Sequence, residues 1–521
     1  MTVHVGGLRP AKRPIGAITT RRPGWRSAVP GVLLAAILAV LVRVPFVGRP
    51  AFPDESGLLL VARQWHNGGP SLYGDLWIDR PPLLVAYWWV ADLLGGVGAA
   101  RLMGCAAIAV AVIAAGWAGW VIGERRGAYW AAGSTAALLG SPLMATNAIN
   151  GELLAAPFVL LSCALTLTAV RRTWSVRFEV MLAVFAGVVG SCALLIKQNF
   201  ADALIFAVVL LVVSGVRSDL TWRRARRILG WGVTGAAIPL LLTVLWAEAA
   251  GHGFGDLWHA LYGFRSDAVH TIATQSFSAP AERLVRLVGV GIISGIVLLS
   301  LRYLSTIRRA IRGDASLAVA TAAMLTFGYV AVLAGGSFWL HYLIGLVPAV
   351  ALAAAQLGAF SPRHLLSRAA IGVVIAAAAI TPVAGVASGA MADDPTETAV
   401  TSYLQDARLD DDKVIIAYGH ANVLEAAGLE PGYPYLWSLP LRVLDPDLDL
   451  MTSTLSGPNA PTWFVGWEPL NSWGIDEHGR LESALDENYR EVAKICDVEI
   501  YLRDGADRDT PPEPTVDCPK P

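Results

Sequence analysis

Two carboxylates stand side by side in Pro53-Asp54-Glu55-Ser56, just past the first long apolar stretch of the chain. Neighbouring acids repel each other's charge, so one of them holds its proton more tightly unless a cation lies close. A carboxylate in that position can take the proton from an attacking hydroxyl or amine. Read alone, Asp54 also suits the cap of a following helix. An acid and a cation recur in Ile78-Asp79-Arg80-Pro81-Pro82-Leu83. The planar fork of an arginine donates paired hydrogen bonds to a phosphate, although a local Asp79–Arg80 surface pair is an equally ordinary reading. Further along come Glu152 in Asn150-Gly151-Glu152, Lys197-Gln198-Asn199, and His341-Tyr342. Arg43 falls inside the first apolar stretch itself. Lys197, Arg43 and Tyr342 can each be interfacial anchors, or groups that hold an anion.

The elements that must position these residues are membrane helices. The chain is 55% hydrophobic and only 16% charged, with the apolar residues gathered into long blocks, which excludes an ordinary soluble fold. Eleven segments have the length and apolarity to span, near 29–48, 99–121, 128–147, 151–170, 178–196, 200–216, 229–250, 284–303, 315–335, 340–358 and 369–390. Lys and Arg alternate between connections. They crowd at Arg9–Arg26, Arg125-Arg126, Arg171–Arg177, Arg217–Arg227, Arg302–Arg312 and Arg363–Arg368, whereas the gaps near 148–150 and 336–339 have none. Positive loops stay in the cytoplasm, so the N-terminus is expected inside and, after an odd number of spans, the C-terminus outside a cell membrane. The run after the basic N-terminal arm is long and lacks a small-residue cleavage site, so it reads as a retained first helix. With this orientation every candidate residue falls at the outer face, as a site for a lipid-linked substrate requires. Nothing points to nucleic acid.

Residues 1–28 form a cytoplasmic basic arm and 29–390 a transmembrane domain. Its first outer segment, 49–98, is too polar to span and too apolar to float free, so it should lie along the membrane surface. Within it Glu55–His66 reads as an amphipathic helix, and Pro81-Pro82 suits the first turn of an aromatic-rich one. From 391 to 505 the composition is that of a small extracytoplasmic α/β domain, with strands predicted at Lys413–Tyr418, Pro461–Trp467 and Val498–Arg503 and a helix at His420–Ala427. The proline-rich 506–521 reads as a disordered tail. Cys496 and Cys518 can form a disulfide in an oxidising outer compartment.

In order and spacing, Asp54-Glu55, Asp79-Arg80-Pro81-Pro82-Leu83, Arg101-Leu102, Gly151-Glu152-Leu153-Leu154, Lys197-Gln198 and His341-Tyr342-Leu343 resemble the GT-C superfamily of membrane glycosyltransferases. The similar branch includes the lipid A aminoarabinose transferases and, more distantly, the protein O-mannosyltransferases. The resemblance covers roughly residues 30–360 and implies a mainly α, polytopic helix bundle. It implies a transferase that moves a sugar, of a hexosyl or pentosyl kind such as mannose or arabinose, from a polyprenyl-phosphate donor. The acceptor would be a cell-wall glycan, lipoglycan or protein, and transfer would invert the anomeric centre. Asp54 would be the base, with Glu55 beside it. Arg80, Lys197 and Arg43 would hold the donor phosphate, although the family usually has a lysine where Arg80 stands. Asp79, Glu152, Gln198, His341 and Tyr342 would shape the site. A divalent metal ion held by Glu55, Asp79 and Glu152 is the one cofactor the resemblance leaves open.

Two other classes fit many helices and an ionisable outer cavity. A transporter or lipid flippase would place its charges near the mid-membrane on broken helices in two related halves, and this sequence shows neither feature. A non-catalytic envelope scaffold would not need the full set of acids.

Overall fold

The computed structural model describes residues 24–275, 278–361, 363–387 and 393–518. The basic residues Arg9 to Arg22 and Pro519 lie outside them. The membrane part runs through α1 (Val29–Arg43), α2 (Pro53–Gln64), α3 (Pro82–Leu93), α4 (Val97–Gly140), α5 (Gly151–Arg171), α6 (Val176–Ile196), α7 (Asp202–Val216) and α8 (Trp222–Ala249). It continues with α9 (Gly253–Trp258), α10 (Phe264–Gln275), α11 (Ser278–Ile293), α12 (Ile296–Ser305), α13 (Ile307–Gly313), α14 (Ala315–Ala334), α15 (Val347–Phe360) and α16 (Leu365–Ala387).

Among the described residues eight helices are long and apolar enough to span, and α11 with α12, bent by 66° at a short break, makes a ninth. The two remaining expected spans have a physical explanation. The 44-residue α4 leaves helical geometry at Gly123 and at Glu124, whose φ is 52°. The chain folds back there, so closely that a Cβ on Gly119 would stand 2.4 Å from the carbonyl oxygen of Gly127. Expected segments 99–121 and 128–147 are the two arms of that hairpin. Segment 200–216 is α7, apolar but only 15 residues long. The bundle core is α4 packed against α1, α5 and α15, with α6 against α8 and α7 against α14. The expected helices of the first long segment are α2 and α3, each opened by a proline at a position whose N–H has no partner to lose.

The C-terminal domain contains α17 (Pro395–Ala407), β1 (Lys413–Ile416), α18 (Ala421–Ala427), β2 (Glu430–Pro431), α19 (Ser438–Leu444), α20 (Asp449–Ser456), β3 (Trp463–Gly466), α21 (Arg480–Asn488), β4 (Tyr489–Ile495) and β5 (Val498–Arg503). The sheet order is β2-β1-β3-β5-β4, parallel on the β1 side of β3 and antiparallel on the other. All four residues of the central strand β3 are buried, which explains its unbroken apolar run. Sequence reading missed β4, whose polar residues alternate with buried ones at the sheet edge.

The tail corrects an expectation. Residues 506–518 have no regular structure, yet they are tied down rather than free. Arg508 pairs with Asp412 and lies over the Trp463 ring, Glu513 accepts the backbone N–H of Lys494 at 2.8 Å, and Cys518 is disulfide-bonded to Cys496 as expected. Prolines suppress helix and sheet without preventing side chains from docking. The domain sits on the membrane part through Arg63–Glu425 at 3.1 Å, Trp77 N to Pro434 O at 3.0 Å, and Arg442 Nε to Gln275 Oε1 at 2.6 Å.

Candidate active site

Asp79 and Arg80 lie in a stretch outside any helix or strand, as suits Arg80, since a residue before proline avoids the helical region. Two side chains hold that backbone. The Tyr73 hydroxyl donates to Arg80 O at 2.6 Å, and Gln198 Nε2 donates to Asp79 O at 3.0 Å and to Leu261 O at 3.2 Å. Arg80 Nη1 lies 2.5 Å from Asp79 Oδ1, and the other carboxylate oxygen faces Arg265. Arg265 arrives from α10, which follows a π-helical turn at His259–Gly263. Its neighbour Phe264 packs on Trp77, two residues before Asp79, at 4.6 Å between ring centroids.

Glu152 lies in the first turn of α5, where Asn150 caps the helix by accepting from Leu153 N, and the helix dipole favours an acid. It pairs with Lys197, at the end of α6, and its Oε1 is 3.7 Å from His341 Nε2. Glu152 Oε2 is buried without a hydrogen-bond partner among the described residues. The Lys197 ammonium lies 5.0 Å over the Tyr342 ring. Arg80 lies within electrostatic reach of Asp79, Asp54, Tyr342 and Glu152. The structure therefore gathers Asp54, Asp79, Arg80, Glu152, Lys197, Gln198, His341 and Tyr342, drawn from five separate stretches of chain.

The charges of the cluster are strongly coupled. Burial alone would raise the Asp79 carboxyl, but Arg80, Arg265 and Lys197 outweigh it and hold the group below its ordinary value. Burial pulls the Lys197 ammonium down; Glu152 opposes this, while Arg80 and Arg265 add to it, and the net shift is downward. Three cations face one another here with Asp79 and Glu152 between them.

Beside the cluster a cavity of about 380 Å³ has Glu152, Lys197, Arg265 and Tyr342 at its polar part and Phe327 and Val330 of α14 on its apolar flank. A ligand with an anionic head and an apolar tail matches that lining.

Two expected members lie elsewhere. Glu55 is fully buried and completely engaged. Both its oxygens take Arg101, at 3.1 Å from Nε and 2.5 Å from Nη2, and it also accepts from Phe52 N at 3.1 Å and Ile149 N at 2.8 Å. Arg101 in turn donates to the carbonyls of Phe46, Arg49 and Pro50. This network ties the loop before α2 to α4, and it leaves Glu55 no oxygen for proton transfer. Arg43 is buried in α1, where Cys105, Glu55 and Tyr87 act on it, and it does not line the cavity. The carboxylates considered for a metal are divided among separate cations: Glu55 with Arg101, Asp79 with Arg80 and Arg265, Glu152 with Lys197. No group of three or more metal-ligating side chains occurs among the described residues.

Sequence reading missed Arg265. Its one signal was an arginine in an outer loop otherwise poor in basic residues. It also missed Trp437 of the C-terminal domain, whose indole Nε1 donates to Asp54 Oδ1 at 2.8 Å.

No protein-family model and no curated protein matches this sequence. Solved structures share its fold. ArnT from Cupriavidus metallidurans bound to undecaprenyl phosphate superposes with a TM-score of 0.63 at 15% identity, covering 93% of this chain and 99% of that one. The apo state of the same protein gives 0.61 at 14% identity, over 91% and 98%. The apo oligosaccharyltransferase of Archaeoglobus fulgidus gives 0.52 at 14% identity, over 89% and 73%. The fold is that of these structures, a polytopic helix bundle followed by a small α/β domain, as the sequence resemblance implies.

Proposed function

We propose, from this fold and the site it carries, that the chain is a membrane glycosyltransferase that moves a sugar from a polyprenyl-phosphate donor to an acceptor at the extracytoplasmic face. The observation that carries the reading is the cavity in which Lys197 and Arg265 meet the apolar wall of α14, with Arg80 tied to Arg265 through their shared partner Asp79. Its lining has the two characters of a lipid phosphate. Supporting this, the ArnT structure of the same fold holds undecaprenyl phosphate. The Lys and Arg distribution puts the N-terminus in the cytoplasm and this face, with the C-terminal domain, outside.

In the proposed reaction Asp54 takes the proton from the acceptor hydroxyl or amine as its oxygen or nitrogen attacks the anomeric carbon. The bond between that carbon and the phosphate oxygen breaks, and its electron pair leaves on the phosphate. Arg80, Arg265 and Lys197 stabilise the charge that develops there, in a site with little water to screen it. Attack opposite the leaving group inverts the anomeric centre. Glu152 and Asp79 fix the cations in place, and the acceptor is a cell-wall glycan, lipoglycan or protein with the transferred sugar hexosyl or pentosyl.

The test is transfer of labelled sugar from polyprenyl-phosphate hexoses and pentoses in proteoliposomes, comparing the wild type with Asp54→Asn, Arg80→Ala and Arg265→Ala. Asp54→Asn should lower kcat by about 10²–10⁴-fold. Undiminished transfer in all three variants would remove the assignment, and labelled lipid crossing the bilayer without transfer would show a flippase instead.

A further inference from the structure

Asp54 is exposed in the first turn of α2, and exposed carboxylates usually rotate freely. Here the C-terminal domain prevents it. The Trp437 indole donates to Asp54 Oδ1 at 2.8 Å, and the structure gives Oδ2 no hydrogen-bond partner among the described residues. A tryptophan N–H is a donor only, so it can pin a carboxylate without accepting the proton that the carboxylate must collect. An arginine in its place would instead neutralise the base.

A second residue is fitted to the same ring. Gly57 lies three positions beyond Asp54, on the same face of α2. A Cβ there would stand 2.4 Å from Trp437 Cζ2 and 2.8 Å from Cη2. Only glycine leaves the notch that lets the indole reach Asp54. The strand of chain bearing Trp437 is itself held down, by Pro434 O accepting from Trp77 N at 3.0 Å and by Tyr435 meeting the Trp77 ring edge-on at 6.4 Å. Trp77 is the residue on which Phe264 packs, next to Arg265. One aromatic junction thus ties the C-terminal domain to both the base and a phosphate-binding cation.

We infer that Trp437 is a positioning residue for Asp54, so that the C-terminal domain completes the active site by fixing one carboxylate oxygen and leaving the other for the acceptor proton. This rests on the reading of Asp54 as the base. Trp437→Phe keeps an aromatic ring at this position and removes the N–H together with part of the indole. With labelled polyprenyl-phosphate sugars as donors, kcat should fall about 10- to 100-fold, with the donor KM within about twofold and the melting temperature unchanged. Gly57→Ala, which displaces the indole while leaving Trp437 in place, should give the same kcat loss, and the double variant should be no worse than either single one. Wild-type kcat in Trp437→Phe, or a loss confined to KM, overturns the inference. If Asp54→Asn is inactive while Trp437→Phe is normal, the inference alone fails. If Asp54→Asn retains transfer, the reading of the base fails first and takes the inference with it.

Discussion

Replacing Glu55 by glutamine takes one charge out of a pair that is wholly enclosed, Glu55 showing no exposure and Arg101 only 1%. The carboxylate accepts from two Arg101 nitrogens and two backbone N–H groups. An amide of the same shape would turn a donor toward at least one of them. Each bond to a charged group contributes about 1.5–3 kcal/mol, and breaking a buried ion pair by losing one partner costs about 3–5 kcal/mol. Arg101 keeps the carbonyls of Phe46, Arg49 and Pro50, so the glutamine variant should sit near the lower end and Glu55→Ala near the upper. Against a typical domain stability of about 5–15 kcal/mol, either is a large fraction. The assay is heat-induced loss of the monodisperse peak in detergent, alongside specific transfer activity per folded molecule. Both Glu55 variants should melt several degrees lower while the molecules still folded keep most of their activity. Asp54→Asn should show the opposite, unchanged melting and lost transfer. Glu55→Ala combined with Arg101→Met should recover part of the loss, since removing the cation as well leaves no stranded charge. A Glu55→Gln protein that melts like the wild type but transfers nothing would refute this division of labour between two adjacent acids.

Arg265→Ala should raise the donor KM about tenfold or more, the value of one charge-assisted bond, with Arg265→Lys recovering only part because an ammonium lacks the fork; transfer rates over a donor titration read this directly. Asp79 is held below its ordinary value, so its contribution to stability is present above the unfolded carboxyl value of about 3.9 and is lost as pH falls through the lower folded one. The melting difference between wild type and Asp79→Asn should therefore stay constant from pH 8 to 5 and narrow only below about 4, and a difference that vanishes near pH 6 would show that burial dominates. Removing both Cys496 and Cys518 should cost the C-terminal domain about 3 kcal/mol through the loop it frees. The expected readout is proteolytic cleavage beyond Arg503, seen by mass spectrometry, with the membrane part intact.

Much of the site was legible because membrane sequences carry their topology openly. Asp54, Asp79-Arg80, Glu152, Lys197 and His341 lie far apart in the chain, yet each borders an apolar block at the same face, and the bilayer brings such positions to one level. Depth is a single coordinate, however. It puts Asp54 and Glu55 at the same height, and it could not say that one is exposed beneath Trp437 while the other turns inward to Arg101. That depends on the helical rotation of α2 and on where α4 presents its arginine. Arg43 shows the same limit, since it ends α1 as expected while its side chain lies among Cys105, Glu55 and Tyr87.

Composition and hydropathy by themselves determined that this chain is a polytopic membrane bundle with a small α/β domain, because the cost of burying unpaired backbone in hydrocarbon leaves few alternatives. Residue order also gathered the candidate residues at one face of that bundle. Only the tertiary structure decided the partners: Arg265 across to Asp79, Lys197 to Glu152, and Trp437 to Asp54 from almost the far end of the sequence. These contacts join residues on separate elements, and hydrogen bonds and ion pairs act over a few ångströms whose direction is set by how helices rotate and dock. Periodicity in one segment carries no information about that.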